Sequence, residues 1–377
     1  MRITGFEVIT VDIPLRMSVD HALAKRKHAR NILVRADSDA GQSGWGECCP
    51  REYVTGESIA SVREDLTKHI LPRLVGRELD SFETVTAHLT EILDELARNQ
   101  QAAVCAAELA VLDLVGRATD RSAGDVLGPV VQEQARYSGV LATADPDEVK
   151  ERCGFMRKFG VDAVKIKTVI TLDENLQLLE IAREILGPDV RLRLDANAAW
   201  DADETIRQLE AMAAFGIEGI EQPVPADDFA GMQAVTAAGL APVVADESLC
   251  SLEDAKKYAE GKGCDIFNIR VSKCGGLINA GRIKRVADEA GLRCQLGAQV
   301  GETGILSAAG RQFATRCSPI WCEGSYGGLL LEEDITDPDV TVGPGGFAPA
   351  LTAPGLGVDL LLERVEARRV DSFNLPS

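Results

Sequence analysis

Eight short β-rich runs, alternating with amphipathic helical stretches from about residue 135 onward, restrict the fold of this chain more than any other feature. They span residues 135–143, 161–168, 189–197, 217–224, 241–248, 265–273, 291–299 and 320–324. The helices between them are punctuated at both ends. Thr171 to Glu174 and Asp201 to Glu204 have the spacing of capping boxes. Gly160, Gly187, Gly216, Gly239, Gly261 and Gly291 follow apolar periods, where a left-handed C-terminal residue is expected. Strand–helix alternation implies right-handed crossovers and a parallel sheet. Eight such units in roughly 200 residues predict a (β/α)8 barrel of the TIM type. A doubly wound open sheet would carry a GxGxxG after its first strand, and none stands there.

Residues 1–125 have a different, α+β texture. Strand-like stretches at 3–13, 31–36 and 44–48 precede helical patterning at 56–76, 80–97 and 99–118. The last helix carries Ala103, Ala106, Leu109, Ala110, Leu112 and Leu114, is apolar on most faces, and is predicted to be buried. Residues 340–377 lose the alternation and are expected to return to the N-terminal domain. The predicted organisation is an N-terminal α+β capping domain over 1–125, a β/α barrel over 126–335, and a C-terminal segment over 336–377 that completes the cap.

Composition narrows the function. The net charge of −19 is spread along the chain and repels nucleic acid and anionic membrane. No apolar run approaches the ~18 residues of a membrane helix. The N-terminal stretch alternates like a strand rather than a signal peptide, so a cytoplasmic protein is expected. The ten cysteines are irregularly spaced and form no CxxC, which predicts thiols, mostly buried. All four histidines, His21, His28, His69 and His88, precede residue 90. Chemistry in the C-terminal two thirds must therefore use Lys, Asp, Glu, Tyr or Cys.

Barrel enzymes carry their chemistry at the C-terminal ends of the strands. The polar residues there are Lys165 and Lys167 on strand two, Asp195 and Asn197 on strand three, and Glu221 on strand four. Asp246 and Glu247 end strand five, Lys273 strand six and Glu323 strand eight. From Lys167 the intervals are 28 residues to Asp195, 26 to Glu221, 25 to Asp246 and 27 to Lys273. Each is about one β/α unit, so these side chains should converge on the barrel mouth.

Three carboxylates gathered there without a cation would raise one another's pKa. Three hard oxygen ligands from rigid strands suit Mg²⁺, with Mn²⁺ as the expected substitute. Taken singly, each acid could equally cap a helix or meet an arginine; three on consecutive strands favour a metal. Lys165 and Lys167 share strand parity and face the same way. A second ammonium and a nearby dication both depress a lysine's pKa, toward the range where a neutral amine acts as a base. Lys273, on strand six, faces strand two across the barrel, so two lysines could flank a substrate. A lone KxK could merely balance the acids.

The ordered set Val164-Lys-Ile-Lys167, Arg193-Leu-Asp-Ala-Asn197, Ile220-Glu-Gln-Pro223, Ala245-Asp-Glu-Ser248 and Asn268-Ile-Arg-Val-Ser-Lys-Cys-Gly-Gly276 resembles the enolase superfamily. Within it, the likeness is to the muconate-lactonizing-enzyme (muconate cycloisomerase) subgroup, over essentially the whole chain. The resemblance implies Asp195, Glu221 and Asp246 as Mg²⁺ ligands. It implies Lys167 as one acid/base catalyst, with Lys165 lowering its pKa, and Lys273 as the catalyst on the opposite face. It also implies specificity loops in the cap, by position residues 16–30 and 48–58. There Arg26, Lys27, Arg51 and Tyr53, with His21 and His28, are candidates to read a distal anionic or polar group. Asn197, Glu247 and Glu323 are further substrate-contact candidates. Glu323 matches a strand-eight glutamate of cycloisomerases, and a structural acid explains it equally well.

Other branches fit less well. The mandelate-racemase type uses a barrel histidine, and the enolase type a different layout of strands five and six. Dipeptide epimerases carry an Asp-x-Asp near strand eight, where this chain has Cys322-Glu-Gly-Ser-Tyr326. That departure counts against a dipeptide substrate. The implied chemistry is removal of the proton α to a substrate carboxylate, giving a metal-stabilised enediolate. An isomerase is expected, either a racemase or epimerase of an amino-acid derivative or a cycloisomerase. A carbon–oxygen lyase (a dehydratase or an o-succinylbenzoate-synthase-like enzyme) is the alternative, and a Schiff-base lysine aldolase a remote one. The expected partner is a small-molecule carboxylate, with no nucleic acid and no membrane, and a homo-oligomer is the expected assembly.

Overall fold

Seven strands pair in parallel and in strict chain order: Gly139–Leu141, Ala163–Lys167, Arg191–Asp195, Ile217–Glu221, Val243–Ala245, Ile266–Ile269 and Arg293–Leu296. The computed structural model describes residues 1–21, 24–95 and 100–376, with 18–21 and 24–25 by backbone alone. The eighth run closes the ring through a few bonds rather than a full ladder. Leu296 N–H donates to Trp321 O at 2.9 Å, Glu323 N–H to Leu296 O at 2.8 Å, and Ser138 N–H to Cys322 O at 2.9 Å. Among the described residues, no full helix follows it. The segment Gly327–Leu330, four residues, stands where an eighth barrel helix would lie, and its two glycines disfavour extension. Among the described residues the barrel therefore has eight β segments but seven full β/α units.

Helix punctuation matches expectation unevenly. Asp201 caps its helix, accepting from Glu204 N–H at 2.8 Å. Thr171 does not cap; its hydroxyl donates to the Glu174 carboxylate instead. Gly261 has φ −86°, and the left-handed step falls one residue later, on Lys262 at φ 53°.

In the N-terminal domain, Ile3–His21 and Ala24–Ser38 form one long antiparallel hairpin, flanked by Ser43–Cys48. Residues 16–30, expected as a loop, are largely strand: after a register shift beyond Pro14 the pairing resumes at Val19↔Arg26 and runs to His21↔Ala24. Residues 22 and 23 lie outside the described residues. The stretch is polar and charged, so it lacks the apolar alternation that would have revealed it. The C-terminal strand Arg369–Leu375 pairs antiparallel with the first strand, Phe6↔Leu375 and Val8↔Phe373, and completes this sheet.

Helix Gln101–Thr119 is buried along nearly all its length. It packs directly on Ser43–Cys48, and the close approach depends on glycine. A Cβ at Gly46 would stand 2.6 Å from Ala110 N. Two buried glutamates then stitch the cap to the barrel. Glu108 accepts from Leu277 and Ile278 N–H at 2.7 Å each. Glu47 accepts from Thr303 and Leu306 N–H at 3.0 Å each. Both sit at helix N-termini, where unpaired N–H groups and the dipole favour a carboxyl group. These caps locate the loops after barrel strands six and seven. All ten cysteines are free thiols. Among the described residues, no helix is long and apolar enough to cross a membrane.

Candidate active site

Strand register places Lys167 opposite Asp195, and Asp195 opposite Glu221. One row at the strand ends therefore carries an amine and two acids. Glu221 pairs with Val244, two residues before Asp246. Asp195, Glu221 and Asp246 are all buried. Buried carboxylates need counter-charge, and three cations supply it. Lys165 Nζ lies 3.2 Å from Asp195 Oδ2, 3.1 Å from Glu221 Oε1 and 2.9 Å from Glu323 Oε2. Arg270 Nη2 contacts Asp246 and lies 3.9 Å from Glu221 Oε1. Lys273 Nζ donates to Asp246 Oδ1 at 2.8 Å, Asp246 O at 2.7 Å and Asn268 O at 2.9 Å. Lys165 thus bridges Asp195 and Glu221, and Arg270 bridges Glu221 and Asp246. Among the described residues, no three acidic, imidazole or thiol groups converge directly on one ion position, because these cations stand between them.

The donor set nevertheless fits a hard divalent cation. Asp195, Glu221 and Asp246 offer oxygen only, from three adjacent strands. Beside them Glu247 is buried with Oε2 unpartnered. Burial, then the Asp195 and Glu221 charges, push the Glu247 carboxyl up to about 7. A dication among these oxygens would satisfy that orphan and relieve the repulsion.

Burial alone would lower the Lys165 ammonium, but Glu221, Glu323 and Asp195 outweigh it and raise its pKa. Lys167 moves the other way: burial, with Lys165 and Arg270 adding to it, lowers its pKa despite Asp195. Burial likewise lowers Lys273. Burial would raise Asp195, yet Lys165 and Lys167 hold it below the usual carboxylate range.

The turns after these strands are strained. Asn197, Ala198 and Gln222 are non-glycine residues at φ 45°, 61° and 35°, the kind of outlier that persists where surroundings over-determine it. Gln222 Oε1 accepts from Asp246 N–H at 3.0 Å and Ser248 N–H at 3.2 Å, and so sets the loop that carries Asp246. Sequence reasoning assigned Gln222 and Arg270 no role. Both lie at strand ends within the quoted motifs, and that position was the available signal.

A cavity of about 270 Å³ opens over this row, lined at its floor by Lys165, Lys167, Asp195, Asn197, Arg270 and Glu323, with Tyr53 reaching in from the cap. Lys167 donates to Asn197 Oδ1 at 3.0 Å. Glu323 is an ion-pair partner of Lys165 and Arg193. Lys273, Glu221, Asp246 and Glu247 do not line the cavity. Neither do Arg26 and Arg51. Arg51 is buried and donates to Pro50 O and Val300 O at 2.7 Å each, joining the cap to the strand-seven loop. Arg26 stacks on Tyr53, 5.5 Å from the ring centroid, in an adjoining surface groove that also holds Lys27 and His28. The His21 side chain lies outside the described residues.

The mandelate racemase/muconate lactonizing enzyme N-terminal domain matches residues 3–128, and the enolase C-terminal domain-like family matches residues 148–365. The chain is 28% identical over 361 residues to N-succinyl-L-Arg/Lys racemase of Bacillus cereus, covering 96% of both chains. It is 29% identical over 376 residues to chloromuconate cycloisomerase of Cupriavidus pinatubonensis, covering 96% of this chain and 98% of that one. A dipeptide epimerase from Enterococcus faecalis, solved with Mg and the dipeptide L-Leu-L-Tyr, superposes with TM-score 0.87 at 27% identity, over 95% of this chain and 100% of that one. With an enolase-type barrel beneath a mandelate racemase/muconate lactonizing enzyme cap, the chain belongs to the enolase superfamily, in its muconate-lactonizing-enzyme subgroup.

Proposed function

We propose that this protein is a divalent-metal-dependent isomerase that removes and returns the proton α to the carboxylate of a small substrate, racemising or epimerising an amino-acid derivative. The observation that carries the reading is Lys167, which lines the cavity with its pKa lowered by burial, Lys165 and Arg270. Asp195, Glu221 and Asp246 would hold the Mg²⁺ or Mn²⁺, with Glu247 beside them. Bound there, the ion would supply Lewis acidity toward the substrate carboxylate, countering the charge that develops as the proton leaves.

The chain's own groups divide the remaining work. The acids around Lys165 keep it protonated, so it is a fixed positive charge rather than a base. That charge favours the neutral amine of Lys167, which takes the proton. Asn197 orients the Lys167 Nζ. Glu323 fixes Lys165 from the other side. Lys273 is the proposed acid/base for the opposite substrate face, a role that requires its Nζ to leave the Asp246 and Asn268 carbonyls. The B. cereus racemase and the E. faecalis epimerase support racemisation or epimerisation over elimination.

The test is α-deuteration. The enzyme with Mg²⁺ is incubated in D₂O with N-acylamino acids, proline-like acids and muconates, and the products are followed by mass spectrometry. Exchange is expected for at least one amino-acid derivative. Lys273→Ala should retain exchange from one enantiomer only, and the Lys167→Ala/Lys273→Ala double variant should show none. Exchange that survives in the double variant overturns the assignment.

A further inference from the structure

Both carboxylate oxygens of Asp246 are taken by cations of the chain itself. Lys273 holds Oδ1 at 2.8 Å, and Arg270 holds Oδ2. Arg270 Nη2 also lies 3.9 Å from Glu221 Oε1, so its guanidinium fills the gap between two of the acids proposed to hold a dication. A dication and a guanidinium cannot share that gap, because both need the same oxygens and like charges repel. One of them has to give way.

Arg270 is the cation least held. Lys273 is also bonded to two backbone carbonyls and does not line the cavity. Lys165 is held by three carboxylates. Arg270 touches one carboxylate directly, borders the cavity, and keeps its Nε buried without a partner. Its Nη1 donates to Gln299 Oε1 at 3.2 Å, a neutral group on the cavity wall. The stem runs over Gly297, where a Cβ would stand 2.8 Å from Arg270 Cγ, so the glycine leaves the stem its room.

A receiving anion is in place. Gln299 N–H donates to Glu302 Oε1 at 2.6 Å, so one residue touches both Arg270 and Glu302. Glu302 lines the same cavity and takes part in no ion pair among the described residues. Burial, with Glu47 adding to it, pushes its carboxyl up to about 8, while Arg270 and Arg51 act in the opposite sense. It is an uncharged carboxyl at neutral pH that a closer guanidinium would ionise.

We infer that Arg270 is a built-in stand-in for the dication, which yields the Asp246 and Glu221 oxygens when metal binds and turns onto Glu302. Loading then places a charged pair on the cavity wall in the same step. The inference rests on the reading of Asp195, Glu221 and Asp246 as metal ligands.

The test reads binding and position rather than turnover. Mg²⁺ binding to the full chain is measured by calorimetry, and the Mg²⁺-loaded crystal structure is solved. There the Arg270 guanidinium should lie within ion-pairing distance of Glu302. Arg270→Met, with no guanidinium to displace, should bind Mg²⁺ about tenfold or more tightly than the parent. Glu302→Gln should bind it about three- to tenfold more weakly. Adding Glu302→Gln to Arg270→Met should change the affinity by less than about twofold, since the displaced partner is gone. A Glu302 effect of equal size with and without Arg270, or a loaded structure with the guanidinium still on Asp246, overturns the inference and leaves the metal reading standing. Should Arg270→Met not fold, the loaded parent structure and Glu302→Gln decide alone, and an unchanged affinity in Glu302→Gln overturns it. Absence of Mg²⁺ binding in both the parent and Arg270→Met defeats the metal reading, and this inference with it.

Discussion

Glu108, on the buried helix of the capping domain, accepts the backbone N–H of Leu277 at 2.7 Å. Leu277 begins the barrel helix that follows the Lys273 segment, so a carboxyl group from one domain holds the loop that presents a lysine of the other. A side chain on Gly276 would collide with that carboxyl group.

Glu108→Ala should therefore destabilise the protein by about 2 kcal/mol or more, because two buried N–H groups lose their acceptor. Glu108→Gln, which keeps one acceptor oxygen, should cost less. Denaturant unfolding of the three proteins reads the order directly. Gly276→Ala should resemble Glu108→Ala, since it displaces the same carboxyl group.

Stability should fall as pH rises through neutrality. Burial pushes Glu47 and Glu57 up to about 7 and Glu108 up to about 8, each from an ordinary value of 4.5. A carboxyl group whose folded pKa is raised binds its proton more tightly in the folded state. Its contribution is complete below about pH 4.5 and is lost as pH climbs through 7 to 8. Each group can contribute up to about 1.4 kcal/mol per pH unit in that window. Melting followed from pH 5 to 8.5 should show the decline, with a shallower slope in Glu108→Gln; a parent midpoint that rises across the window would contradict it.

The pH–rate profile should report Lys167. Its lowered pKa predicts that activity with the base-requiring enantiomer rises with pH through a value below that of a free lysine, as the neutral amine forms. Lys165→Met removes a neighbouring positive charge and should move that limb to higher pH. A limb that stays in place would remove Lys165 from its proposed role.

Metal binding should be visible without turnover. At a hundredfold excess over its dissociation constant, Mg²⁺ should stabilise the folded state by about 2.7 kcal/mol. The gain should vanish in Asp195→Asn and Glu221→Gln. EDTA should abolish α-deuteration, and Mg²⁺ or Mn²⁺ should restore it.

Much of this architecture is legible along the chain. The barrel strands fall within the runs picked out by alternation, because strand and helix periodicities are local properties of adjacent residues. Asp195 and Glu221 face each other across paired strands because each β/α unit has nearly the same length. The hairpin through residues 16–30 escaped because its partner strand, not its own pattern, makes it a strand. Arg51, which looked like a substrate reader, proved to be a buried tie to Val300, 249 residues away.

By itself the sequence determined the order of strands and helices, the row of acids and amines at their ends, and the superfamily, since all of these are written in short-range pattern and spacing. Only the tertiary structure decided which cation meets which acid, that Lys273 turns toward Asp246, and that Arg51 ties the cap to the strand-seven loop. Those outcomes depend on competition for burial and counter-charge among groups hundreds of residues apart, and local periodicity carries no record of that competition.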